Sequence, residues 1–101
     1  MKKTRYEGYW SSKQEPDFPT PVHNDKPFLD KDLIVKKIIS VQSRLGQRHY
    51  KGFSICRCCG ERNGSGEFSH KGWVWPEGFL HYVIEHNVEP TEDFKKYILN
   101  L

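Results

Sequence analysis

Cys56-Arg57-Cys58-Cys59-Gly60, followed further on by His81-Tyr82-Val83-Ile84-Glu85-His86, is the stretch that decides how this chain folds. Cys-x2-Cys with a later His-x4-His has the ligand types and local spacings of a structural zinc site. Gly60 directly follows the second cysteine, where a metal-binding knuckle needs a residue that tolerates positive φ. Both histidines fall in a stretch that reads as helix. A loop carrying Cys56 and Cys59 and a helix carrying His81 and His86 are therefore expected to hold one Zn²⁺, the ion that this donor set suits best. On an ideal helix a five-residue step turns through about 500°, so the two rings diverge by roughly 140° unless the last turn tightens or loosens. Cys58 is expected beside the site rather than in it. His70 is the substitute ligand if one helical histidine turns away, and His23 and His49 read as surface residues. If the metal is a staple, Cys59→Ala or His81→Ala is expected to unfold residues 53–87, because zinc-binding free energy is then folding free energy.

The rest of the chain is what such a staple would serve. It has 101 residues, of which 36% are hydrophobic and 29% charged, so its core is small and a bound metal is one of few available reinforcements. Three cysteines crowded into four positions make no disulfide framework. They point to a reducing, cytoplasmic setting. No apolar run approaches the length of a signal sequence or a membrane span. Residues 1–62 hold 13 Lys/Arg against 7 Asp/Glu, while residues 63–101 hold 3 against 6. A basic half facing an acidic partner is one reading; uneven solvated surfaces are the plainer one.

Residues 1–27 carry four of the six prolines, interleaved with Tyr6, Tyr9, Trp10 and Phe18. They read as an extended arm, since each proline removes a donor and biases its predecessor away from helix. Residues 28–101 read as a single zinc-binding α+β domain. Asp30 or Asp32 starts a helix whose apolar face is Ile34, Ile38, Val41 and Leu45, with Gly46 as its stop. Tyr50, Phe53 and Ile55 suggest a short strand running into the cysteines. Asn63-Gly64 is the strongest hairpin signal, and Glu67-Phe68-Ser69 and Gly72-Trp73-Val74-Trp75 are strands around a turn at residues 70–72. Pro76 opens the histidine helix, with Glu77 at its positive end. Thr91 caps a last helix with Phe94, Tyr97, Ile98 and Leu101 on one face. The expected architecture is a small antiparallel sheet with a zinc knuckle, packed against two or three helices.

In motif, residues 53–87 resemble C2H2-type zinc fingers, although 21 residues separate Cys59 from His81 where a finger has about a dozen. The chain is also similar to a set of small bacterial proteins that share Cys-Arg-x-Cys-Gly-x-x-Asn-Gly-Ser, Trp-x-Trp-Pro-x-Gly and His-Tyr-Val-x-x-His. Those are residues 56–65, 73–78 and 81–86 here. The second resemblance is the more specific and implies no activity. The first implies a groove-reading helix, yet Glu77, Glu85, Glu89, Glu92 and Asp93 would meet phosphates with like charge. Nucleic-acid contact would fall instead to Lys36, Lys37, Arg44 and Arg48, with Arg57 and Arg62 beyond.

Hydrolysis is disfavoured on spacing. His-x3-Glu-His is one residue longer than the inverted zinc-peptidase motif, and Glu85-His86-Asn87 lacks the following Asn- and His-bearing helix of a His-Asn-His nuclease. Four protein ligands also leave no open position for water. The sequence therefore favours a non-enzymatic, zinc-stabilised binding or regulatory protein that acts through protein contacts, an inhibitor or accessory factor, with Tyr9, Trp10, Trp73 and Trp75 as candidate anchors. Burial in the core is the plainer fate of the last two, which share one strand face. Nucleic-acid binding through the basic first half is the alternative.

Overall fold

A computed structural model describes residues 4–10, 16–46, 48–49 and 55–101, with the backbone alone for Arg48 and His49. Its elements, in chain order, are β1 (Arg5–Tyr6), α1 (Lys31–Gln42), β2 (Arg48–His49), β3 (Gly66–His70), β4 (Trp73–Pro76), α2 (Phe79–His86) and α3 (Glu92–Leu99). The class is α+β. The strand order is β1-β4-β3-β2.

The centre of the sheet is the β3–β4 hairpin, with Phe68 opposite Trp75 and His70 opposite Trp73. Its two-residue turn is Lys71-Gly72, both with positive φ, a geometry that matches the twist of the flanking strands. The hairpin expected at Asn63-Gly64 is absent. Glu77 fills that space instead, its carboxylate accepting the N–H groups of Ser65 and Gly66 at 3.0 and 3.2 Å. The sheet is mixed rather than purely antiparallel, because β1 runs parallel to β4. Arg5 N–H donates to the Gly72 carbonyl and Glu7 N–H to that of Val74. So the beginning of the arm is a sheet edge. Of the strand expected at Tyr50, Phe53 and Ile55, the first two lie outside the described residues, and Ile55 forms an isolated antiparallel bridge with Arg62.

Alternation along β4 sends Trp73 and Trp75 to one face, and the three helices cover it. α1 contributes Ile34, Ile38 and Val41, α2 Phe79 and Val83, and α3 Phe94 and Ile98, all buried. Phe94 is the hub, its ring centroid lying 5.2 to 5.5 Å from those of Trp73, Trp75, Phe79 and Tyr97. Edge-on contacts of this kind add about 0.5–1.5 kcal/mol per pair to the area they bury. Trp75 also donates its indole N–H to Gln42 Oε1 at 2.9 Å, which fixes α1 over the sheet.

Asp30 occupies the N-cap of α1 as expected, with φ 64° and without a side-chain cap bond. Two other helix ends differ from expectation. α1 ends at Gln42, ahead of Gly46. Pro76 closes β4, and α2 begins at Phe79 after Gly78. Thr91 does cap α3, its hydroxyl accepting Phe94 N–H at 3.3 Å. That same threonine anchors the arm: Glu7, buried, accepts Thr91 N–H and O–H, both at 2.8 Å. Burial raises the Glu7 pKa, against the lowering effect of those two bonds. Gly8 follows with φ 80°, and a Cβ there would meet the Phe79 ring within 3 Å.

Candidate metal centre

The knuckle is built by its own backbone. Cys56 N–H donates to the Glu61 carbonyl at 2.8 Å and Gly60 N–H to that of Cys56 at 2.9 Å. Gly60 has φ 77°, the left-handed turn that brings the chain back towards the Ile55–Arg62 bridge. Cys58 N–H points at Cys56 Sγ, 3.3 Å away. α2 is docked against the knuckle through Tyr82, whose hydroxyl accepts Arg57 N–H at 2.7 Å. Burial pushes the Tyr82 pKa up to about 12, so it stays a neutral phenol.

The four residues named from spacing meet here. Each of Cys56, Cys59, His81 and His86 offers one donor atom, and the four atoms all lie within 4.8 Å of one another. Cys59 Sγ is 3.4 Å from His81 Nε2; in a tetrahedron with ordinary Zn–S and Zn–N bonds that edge is about 3.6 Å. The helical rings close to a centroid distance of 5.2 Å, despite their five-residue spacing. His86 is the last helical residue before Asn87, which takes a left-handed C-cap.

The donors have the chemistry that a zinc ion requires. Cys56 is buried, and His86 Nε2 is buried with no hydrogen-bond partner. A buried polar atom without a partner is costly, and a metal removes that cost. Burial, and then the nearby His81 and His23, lowers the His86 pKa and keeps its ring in the neutral, ligating form. Two sulfurs and two imidazole nitrogens fit a tetrahedral ion with no place left for water.

The remaining sequence candidates are distributed as follows. Cys58 is exposed beside the cluster, and burial followed by the Cys56 sulfur pushes its thiol pKa up. His70 is elsewhere, its Nδ1 2.6 Å from the Tyr97 hydroxyl. His23 approaches the site, with its ring centroid 6.3 Å from that of His86. Trp73 and Trp75 lie in the core, so neither is an exposed anchor, because the sheet face they share is the one the helices cover. Trp10 is half-buried, edge-on to Tyr82 at 5.7 Å. Lys36, Lys37 and Arg44 lie on or just after α1, while the Arg48 side chain is outside the described residues.

Sequence reasoning missed the clasp at the end of α2. Asn24 N–H donates to the His86 carbonyl at 3.0 Å, and Asn24 and Asn87 exchange side-chain bonds to each other's carbonyls at 3.2 and 2.9 Å. Lys31 Nζ donates to the Ile84 carbonyl at 2.9 Å and to Asn87 Oδ1. These partners are 53 to 63 residues apart, so no local pattern announces them. Among the described residues no helix is long and apolar enough to cross a membrane. Comparison with protein-family models, with curated proteins and with solved structures finds no match to this chain.

Proposed function

We propose that this protein is a small, non-enzymatic binding domain in which one Zn²⁺, held by Cys56, Cys59, His81 and His86, staples the knuckle to α2. The observation that carries the reading is the convergence of four donor atoms from two separate elements within 4.8 Å. Among the described residues the buried cluster around the knuckle is Cys56, Tyr82 and Val88, with Trp10 against it. So little apolar area does not hold a loop in place, and a structural ion supplies what is lacking. A filled tetrahedron supports a scaffold role over hydrolysis, since catalytic zinc keeps a position open. Of the two partner classes that the sequence left open, protein contact anchored on Trp73 and Trp75 loses its anchors to the core, and the charged surfaces become the better guide.

Cobalt substitution tests the site. Co²⁺ in an S₂N₂ tetrahedron is expected to give intense visible d–d bands and thiolate charge transfer at one ion per chain, with zinc displacing it. Cys56→Ser, Cys59→Ser, His81→Ala and His86→Ala should each alter those bands, and Cys58→Ser should not. Weak octahedral bands, or a spectrum that depends on Cys58, would refute the assignment.

A further inference from the structure

A second feature is assembled from three elements and a turn. Arg5 of β1, Lys71 of the β3–β4 turn, and Asp93, Lys96, Tyr97, Asn100 and Leu101 of α3 and its end line an open depression of about 390 Å³. Lys37 reaches the same rim, its Nζ donating to the Leu101 carbonyl at 2.7 Å. Arg44 lies past the end of α1, in the turn that follows it, whereas Lys36, one residue before Lys37 on the helix, is turned about 100° from it. The Arg44 charge is felt at His70, whose pKa is lowered first by burial and then by Lys71 and Arg44. The Arg5 guanidinium carbon lies 5.6 Å from the centroid of the Trp73 ring, which holds that charge against the fold.

These cations are not neutralised. Among the described residues Lys95 pairs with Glu89 and Glu92, yet Arg5, Arg44, Lys71 and Lys96 form no ion pair with a carboxylate. Three cations without an ion pair, Arg5, Lys71 and Lys96, outnumber the one side-chain carboxylate in the lining, Asp93, and this positive excess attracts an anion. The apolar content of the hollow is one half-buried Tyr97 ring and Leu101, too little for the buried anchor of a protein interface. A hollow of this size with the Tyr97 ring and the Asn100 amide in its lining takes a single nucleotide unit better than the rigid surface of a duplex.

We propose that the face formed by Arg5, Lys71 and Lys96 around Tyr97 binds single-stranded nucleic acid through its phosphates. This deepens the binding-domain reading and rests on it. It also moves the binding surface away from α2, the helix of the finger-like motif, and from Lys36.

The test uses the zinc-loaded full chain and a fluorescein-labelled single strand of about 20 nucleotides, with anisotropy read over a salt series from about 50 mM. Lys71→Glu/Lys96→Glu is expected to weaken binding at least about tenfold and to flatten the log–log salt slope by about 1.4, or 0.7 for each phosphate that is no longer neutralised. Lys26→Glu/Lys36→Glu makes the same charge change at exposed positions off the face and should stay within about twofold of wild type. Wild-type protein that fails to bind at low salt, equal losses in both variants, tighter binding to duplex, or full displacement by polyglutamate would each overturn the proposal, the last by assigning the face to acidic proteins. Native mass of every sample separates the two readings. A chain that holds one zinc and does not bind sinks this face alone, whereas a chain without zinc sinks the scaffold.

Discussion

Glu7→Ala tests whether the N-terminal arm is part of the folded domain. The wild-type carboxylate is buried and accepts two bonds of 2.8 Å from the cap residue of a helix 84 positions away. Hydrogen bonds to a charged group contribute about 1.5–3 kcal/mol each. Two effects reduce the loss. Thr91 is exposed, so water can replace the missing acceptor, and removing a buried carboxylate relieves its desolvation. A net cost of about 2 kcal/mol follows, or roughly 10 °C in melting temperature for a domain of this size. Glu7→Gln keeps one acceptor oxygen and should cost about half as much. The pH dependence has a definite sign. Burial raises the folded-state pKa of Glu7, so its contribution is fullest below the unfolded value of 4.5 and is lost as pH rises through the folded one. The stability difference between wild type and Glu7→Gln should therefore widen as pH falls through the folded-state value towards 4.5, while titration elsewhere in the chain is common to both proteins and cancels. Urea unfolding of both proteins with zinc in excess measures this. An alanine variant that melts within about a degree of wild type, or a difference that narrows on acidification, would refute the reasoning.

Other substitutions probe separate parts of the fold. Gly8→Ala places a Cβ 2.5 Å from Phe79 Cδ1 at a residue with φ 80° and should cost about 2–4 kcal/mol in urea unfolding. Phe94→Ala removes the ring shared by four aromatic neighbours and should cost about 3–5 kcal/mol, while Phe94→Leu should cost less. Equal losses from the two would argue against ring-edge packing. Cys58→Ser should leave zinc affinity within about twofold of wild type in a competition titration, whereas Cys56→Ser should weaken it by at least about a hundredfold.

Features carried by short-range patterns were legible in the sequence. The Cys-x2-Cys pair, the His-x4-His pair, the Ile34-Ile38-Val41 stripe, the β3–β4 strand pair and the Thr91 cap each depend on residues within a few positions of one another. Long-range partners were not. Nothing near Arg5 or Tyr6 announces a parallel pairing with Trp73 and Val74, and no local signal ties Glu7 to Thr91. Asn63-Gly64 misled because its conformational freedom serves another purpose, the close approach of Glu77, for which Gly64 leaves room. Glu77 likewise has the chemistry of a helix N-terminus, yet it answers the N–H groups of Ser65 and Gly66. Trp73 and Trp75 could be placed on one face from period two, but only the helices stacked against that face determine that both are buried.

The expected extent of metal-dependent folding also changes with the structure. β3, β4 and the start of α2 share the main core with α1 and α3, so loss of metal should release the knuckle and the histidine end of α2 rather than all of residues 53–87. The most direct test of the staple is zinc removal by a chelator, followed by amide hydrogen exchange. Protection at Cys56, Cys58 and Gly60 should fall to that of an open loop and return with one equivalent of zinc, while Val83, Phe94 and Ile98 keep theirs. Unchanged protection across the knuckle after zinc is gone would contradict the account.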